Sequence, residues 1–132
     1  MYHNKGLLYK QVHPTLPLTI WNYTEKVQYE NTWDVITLQC RGLVTDDNGN
    51  IVARPFKKFF NHDEHPIEDI PLNEEYAVYE KMDGSLGILF NYQDEWILAT
   101  RGSFTSPQAI KGKELLEKHH YQRLHKDYTY LF

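Results

Sequence analysis

The sequence predicts an α+β fold built of antiparallel β-hairpins, a β-meander and a C-terminal helix. Three observations support this prediction. Short apolar runs alternate with turns that contain Asp-Gly or Asn-Gly. Ser106-Pro107 is a helix start signal near the end of the chain. The length of 132 residues suffices for one domain with a hydrophobic core.

The N-terminal third gives the weakest pattern. Residues Met1–Pro17 are predicted to be irregular, because their two prolines disfavour a helix. Leu18–Trp21 is a predicted strand, whereas Asn22–Thr32 has no predicted structure. Trp33–Gln39 is either a helical turn begun by Asp34 or the start of a strand, since periodicity does not decide over so few residues.

Two clear turn signals follow. Leu43–Thr45 and Ile51–Arg54 flank Asn48-Gly49, which predicts a hairpin. Further on, a three-stranded meander is expected from Tyr76–Lys81, Leu86–Tyr92 and Trp96–Thr100. Its turns are predicted at Asp83-Gly84 and at Gln93-Asp94-Glu95.

The predicted helix has Ser106 as its N-cap and extends to about His120. Tyr128–Phe132 is a predicted last strand, at which the sequence stops. Such a strand would leave an exposed sheet edge, so we expect pairing with a second copy or with a further C-terminal segment.

Composition narrows the class of protein. The formal net charge of −4 argues against nucleic-acid binding by global charge, although a local basic patch remains compatible with it. Cys40 is the one cysteine, so no intrachain disulfide can form. Met1–Lys5 lacks the apolar core of a signal peptide, and no apolar run reaches membrane-spanning length. We expect a cytoplasmic protein without a membrane partner.

Lys81 is the candidate on which the functional interpretation depends. The simplest interpretation is an exposed lysine beside a hairpin turn. A lysine at the end of a strand is also a suitable nucleophile, because a rigid element directs its amine. Free lysine has a pKa of about 10.4, so a nucleophilic lysine needs nearby cations or desolvation. Candidate cations in the chain are Arg41, Arg54, Lys57, Lys58 and Arg101.

Four ordered motifs give a resemblance to a known family. Lys81-Met82-Asp83-Gly84-Ser85-Leu86 resembles the Lys-x-Asp-Gly adenylation motif of covalent nucleotidyltransferases, in the version of the phage-type RNA ligases. Cys40–Val44 resembles their Arg-Gly strand, and Arg54–Asn61 resembles their Arg-Pro-x-x-Lys-Phe-Phe-Asn segment. Thr100–Ser103 resembles the next motif of the family.

The resemblance implies an ATP-dependent RNA ligase. Lys81 would form lysyl-AMP, and AMP would pass to an RNA 5′-phosphate before a 3′-hydroxyl seals the strand. The implied cofactors are ATP and Mg²⁺. Arg41, Lys58 and Arg101 would contact phosphate or ribose, and the backbone at Glu80 would approach the adenine. The Tyr-Leu-Phe strand resembles the family's lead into a ribose-binding glutamate, and the sequence stops at Phe132.

The expected domain is therefore a single one, residues 1–132, forming the N-terminal portion of an adenylyltransferase domain. The alternative is a catalytically incomplete remnant that binds nucleotide or RNA without ligating. A capping enzyme or DNA ligase is disfavoured by Ser85. His62–His65 does not predict a metal site, because the cluster has no partner cysteine and lacks the spacing of four structural ligands.

Overall fold

The computed structural model describes Tyr2 and residues 5–132. The part of the predicted irregular N-terminus at Met1, His3 and Asn4 lies outside the described residues. The strands are β1 (Leu8–Val12), β2 (Leu18–Tyr23), β3 (Arg41–Asp46), β4 (Ile51–Ala53), β5 (Gly87–Tyr92), β6 (Glu95–Thr100) and β7 (Tyr130–Leu131). The α-helices are α1 (Glu25–Tyr29), α2 (Val35–Gln39) and α3 (Pro107–Leu116). Short 3-10 turns occupy His62–Glu64, Ile67–Asp69 and Tyr121–Arg123.

Two antiparallel sheets form the domain. The N-terminal sheet has the order β1-β2-β3-β4, and the C-terminal sheet has the order β6-β5-β7. The predicted α+β class with antiparallel sheets is therefore confirmed. The two sheets share one core, because Leu18, Ile20 and Val44 of the first pack with Ile88 and Phe90 of the second.

Each sheet also has a covered outer face. Leu8, Tyr23 and Leu43 of the N-terminal sheet pack with Val27 of α1 and with Cys40. On the C-terminal sheet, Leu89, Trp96 and Leu98 form a buried cluster, against which Leu116 and Leu124 pack. This alternation follows from the pleat of a strand, which turns successive side chains to opposite faces.

The β3–β4 hairpin is confirmed, and its turn is held by Asp46. The Asp46 carboxylate accepts hydrogen bonds from the backbone N–H groups of Asn48 and Asn50, and Gly49 takes the positive φ of +83°. The β5–β6 hairpin is also confirmed. Its two-residue turn places Gln93 and Asp94 at positive φ, as the type I′ geometry requires.

Both helix start signals in the sequence form N-caps. Asp34 caps α2 by accepting from the backbone N–H groups of Ile36 and Thr37, so the helical alternative for this segment holds. Ser106 caps α3, with Pro107 in its first turn. The helix ends at Leu116, four residues before the predicted His120.

Two predictions of secondary structure were wrong. The N-terminal stretch contains β1, which pairs with β2 although only Leu8 of its five residues is buried. The expected strand Tyr76–Lys81 is absent, and these residues are exposed and outside any helix or strand. Both edges of β5 are taken, by β6 and by β7, so no edge of β5 is left for a preceding strand. The predicted three-stranded meander is therefore replaced by the β6-β5-β7 sheet.

Candidate functional site

Arg101 is the best anchored of the predicted site residues. It directly follows β6, and its Nε–H donates to Asn22 Oδ1 at 3.1 Å. The Asn22 Nδ2–H group donates in return to the Arg101 carbonyl at 2.9 Å. The Arg101 guanidinium lies over the Tyr23 ring, 4.9 Å from its centroid. The residue thus joins the two sheets at one end of their shared core.

Gly42 makes the approach between Arg101 and β3 possible. A Cβ at this position would lie 3.3 Å from Arg101 Cα and 3.0 Å from Ile88 Cδ1, and the φ of Gly42 is +87°. A glycine relieves both the crowding and the positive φ. The Arg-Gly pair of β3 therefore brings Arg41 and Arg101 to the same end of the molecule.

Arg41 and Lys58 also lie over aromatic rings. The Arg41 guanidinium is 5.1 Å from the centroid of Phe59. Lys58 Nζ is 4.6 Å from the centroid of Phe60 and 5.9 Å from that of Trp33. The backbone N–H of Lys58 donates to the Leu38 carbonyl at 2.8 Å, which ties this segment to α2.

The aromatic rings form a continuous row. Tyr23 meets Trp33 edge-on at 4.8 Å, Trp33 meets Phe60 at 5.4 Å, and Phe60 meets His65 at 5.8 Å between centroids. Arg101 lies over one end of this row and Lys58 over its middle. We call Arg41, Lys58 and Arg101, with the rings beneath them, the cation–aromatic cluster. It contains three of the five predicted site residues, and Arg41 lies beside Arg101 because it pairs with Asn22 across β2 and β3.

None of these three cations has a carboxylate within 4.0 Å in the part of the chain that the structure describes. Two clefts adjoin Arg101 and Lys58. The cleft at Arg101, of about 620 Å³, is also lined by Tyr23, Lys26 and Glu25, and the cleft at Lys58, of about 220 Å³, is also lined by Trp33, Phe60 and Glu64. Unpaired cations beside aromatic faces suit an anionic ligand that also carries a flat ring.

Lys81 and Glu80 lie elsewhere. The Lys81 side chain is 81 % exposed, and its Nζ is 3.8 Å from Asp83 Oδ1. Among the described residues, Lys81 lines neither of the two clefts beside the cluster. Glu80 is exposed, and Gly84 adopts a φ of +149° in a bend instead of a hairpin turn. The structure therefore gathers the predicted binding cations and leaves the predicted nucleophile outside.

Cys40, which precedes Arg41, is in an environment that disfavours a nucleophilic thiolate. Its side chain is buried, and burial, with a smaller effect of the Asp34 charge, raises the pKa of its thiol to about 11. The thiolate is therefore rare at neutral pH. Among the described residues, no group of three or more His, Cys, Asp and Glu side chains is arranged to hold a metal ion.

An apolar cavity lies away from the cluster. It has a volume of about 650 Å³ and lies between α3 and the C-terminal sheet, and none of the five predicted site residues lines it.

Across the described part of the chain, no helix combines the length and the apolarity needed to cross a bilayer.

Sequence reasoning missed the aromatic partners and Asn22. Tyr23 lies more than 60 residues from Arg101 in the sequence, and Trp33 lies about 25 residues from Lys58. The contact of each ring with its cation therefore depends on how the chain packs. Phe60 was visible as part of an aromatic and basic segment, but not its position beneath Lys58. Nothing in the local pattern marks Asn22.

The family assignment follows from comparison with known proteins. A family model described as RNA ligase matches residues 39–131, which include all five predicted site residues. The chain belongs to the phage-type RNA ligase family.

Two similar proteins carry related names. A protein of Autographa californica nuclear polyhedrosis virus, named "Putative bifunctional polynucleotide kinase/RNA ligase", is 34 % identical over 80 residues, which cover 52 % of this chain and 11 % of that protein. A protein of Thermovibrio ammonificans, named "Putative RNA ligase", is 36 % identical over 83 residues, 61 % of this chain and 22 % of that protein. The matches thus span about a tenth and about a fifth of the lengths of these relatives.

Proposed function

We propose that this chain is the N-terminal portion of the adenylyltransferase domain of an ATP-dependent RNA ligase. The observation that carries the proposal is the cation–aromatic cluster, in which three motif cations lie over rings and lack carboxylate partners among the described residues. ATP combines a flat base with a polyanion, so its chemistry matches this set of groups. Membership of the RNA ligase family supports the same substrate class.

In the proposed first step the Lys81 amine attacks the α-phosphorus of ATP. A nitrogen–phosphorus bond forms, the bond from the α-phosphorus to the bridging oxygen breaks, and pyrophosphate leaves. The amine loses a proton in the process. Arg41, Lys58 and Arg101 hold the phosphates and stabilise the charge that develops on their oxygens. The backbone at Glu80 contacts the adenine.

The later steps follow the same logic of group transfer. AMP passes from Lys81 to an RNA 5′-phosphate, and a 3′-hydroxyl then displaces AMP to seal the strand. Among the described residues, no group of three or more His, Cys, Asp and Glu side chains could hold Mg²⁺, so the ion has no protein ligands in this proposal. In this proposal Lys81 must approach the cluster. The residues between Asp69 and Gly87 form no helix or strand, so no ladder of hydrogen bonds opposes that movement.

A second candidate is a catalytically incomplete protein that binds nucleotide or RNA without ligating it. The exposed position of Lys81, which is absent from the described lining of both clefts, favours this candidate. Both proposals allow ATP binding, and only the first requires the covalent intermediate.

The deciding experiment is labelling with α-³²P-ATP and Mg²⁺, followed by denaturing electrophoresis. We expect label on the wild-type chain and none on Lys81→Ala. Lys58→Ala should lose most of the label, whereas the matched control Lys57→Ala should keep it, because Lys57 is exposed and makes no ring contact among the described residues. A wild-type chain that binds ATP in equilibrium dialysis but takes no label supports the second candidate.

A further inference from the structure

Asn22 is an unusual residue for the interior of this domain. It is 0 % exposed and, with Thr37, is one of two polar side chains found among the buried residues described. A buried amide without partners costs free energy, on the order of 1–3 kcal/mol by mutational data. Asn22 avoids this cost through one residue, because both of its bonds go to Arg101.

These two bonds fix the Arg101 side chain at its inner end. The side-chain oxygen of Asn22 accepts a hydrogen bond from the Arg101 Nε–H, and the side-chain N–H of Asn22 donates to the Arg101 backbone oxygen. The guanidinium is thereby laid over Tyr23 at the wall of the 620 Å³ cleft. Arginine carries five N–H donors, so the four on its terminal nitrogens remain for an anion.

Because Arg101 is already held in place, binding an anion would cost little further side-chain entropy. A free arginine loses side-chain entropy when it is immobilised on a ligand. In this chain, packing and hydrogen bonding have immobilised Arg101 in advance. Asn22 itself lies outside residues 39–131, the range that matches the family model.

We propose that Asn22 is a positioning residue, which orients Arg101 toward the phosphates of ATP. The inference rests on the proposed function and extends it to a residue outside the family match. Asn22 does not touch the substrate and acts through Arg101. The competing interpretation is that the pair only joins the two sheets.

The test compares Asn22→Ser with Asn91→Ser by isothermal titration calorimetry with ATP. Asn91 is a suitable control, because it lies on β5 with a buried Nδ2 that has no hydrogen-bond partner among the described residues. We expect the Kd for ATP to rise about tenfold in Asn22→Ser, equivalent to about 1.4 kcal/mol, and to stay unchanged in Asn91→Ser. Nuclear magnetic resonance of the Arg101 Nε–H should show loss of protection from exchange only in Asn22→Ser.

Each outcome bears on the inference. A folded Asn22→Ser with wild-type affinity overturns it and leaves the proposed function intact, and the pair then only joins the sheets. A wild-type chain that binds no ATP overturns both. If Asn22→Ser does not fold, Asn22→Gln tests the same geometry, since glutamine keeps the amide but displaces it by one methylene from the Arg101 Nε–H. A tenfold weaker affinity in Asn22→Gln supports the inference, and an unchanged affinity contradicts it.

Discussion

The cation–aromatic cluster and the segment around Lys81 come from motifs of one family, yet they differ in physical character. The cluster is built from side chains that packing holds in place, with Arg101 bonded to a fully buried Asn22. The Lys81 segment is exposed and has no helix or strand. The proposed binding groups are thus held in place in the absence of a ligand, whereas the proposed nucleophile is not.

This difference has an energetic basis. Tyr23 and Trp33 of the cluster pack with Val27 and Cys40 on the outer face of the N-terminal sheet, so moving them would disturb buried apolar contacts. Residues 71–85 bury almost nothing, and their conformation depends on few contacts. Segments with little burial open at low free energy and are the ones that move when ligands bind. In the proposed mechanism, ATP binds to the cluster first and Lys81 follows.

The largest expected effect comes from a matched pair of aromatic substitutions, one in each region. Phe90→Ala removes a side chain that is 0 % exposed, and should lower the free energy of unfolding by about 3–5 kcal/mol. Tyr79→Ala removes one that is 84 % exposed, and should change it by less than about 0.5 kcal/mol. Urea denaturation followed by tryptophan fluorescence measures both.

Similar losses in the two variants would contradict the comparison. They would mean that the Lys81 segment packs on the domain in solution. In the ATP-labelling assay, Tyr79→Ala should lose label although its free energy of unfolding is almost unchanged. The reason is that a change beside Glu80 and Lys81 acts on the segment that must approach the nucleotide.

The elements predicted correctly are those whose signal is local. The β3–β4 turn follows from Asp46 and Gly49, and the start of α3 follows from Ser106 and Pro107. Their capping and turn bonds connect residues within four positions, so a short stretch of sequence specifies them. The motif cations were also predicted from short stretches, whereas the rings on which they lie were not, and the roles of the cations stay a prediction.

The errors arose where structure depends on distant partners. β1 has one buried residue, and its existence depends on the hydrogen bonds that β2 offers. The apolar alternation of Tyr76–Tyr79 resembles a strand, but β7, from more than 50 residues later, takes the free edge of β5. Asn22 and Arg101 are 79 residues apart, so no local pattern could have paired them.

A smaller loss of stability is expected from a glycine substitution at Gly42, with Gly102 as its comparison. Gly42→Ala places a methyl group 3.0 Å from Ile88 Cδ1 at a φ of +87°, and should destabilise the domain by about 1–3 kcal/mol. Gly102→Ala meets nothing within 4 Å, and should be close to neutral. Thermal unfolding compares the two variants. An unchanged midpoint in Gly42→Ala would show that β3 and Arg101 are less closely packed than the distances indicate.

The smallest effect concerns Asp34, whose cap holds α2 between Trp33 and Arg41. Hydrogen bonds, first of all that from the Thr37 backbone N–H, lower the pKa of the Asp34 carboxyl. A group with a lowered pKa in the folded state stabilises that state above its unfolded pKa of about 3.9, and the stabilisation is lost as the pH falls through the folded pKa. Asp34→Ala should therefore cost about 1 kcal/mol at pH 7 and less at pH 3.

Asp34→Asn is the matched control, because an asparagine side chain also accepts from helix N–H groups but does not titrate in this range. At pH 7 the unfolding free energy of Asp34→Asn should lie closer to the wild-type value than that of Asp34→Ala does. The difference between Asp34→Asn and the wild type should narrow on acidification. Urea denaturation at pH 7, 5 and 3 follows both variants. A deficit in Asp34→Ala that does not shrink at low pH would mean that the ionised carboxylate is not what stabilises α2, and that Trp33 is held at the cluster by its aromatic contacts alone.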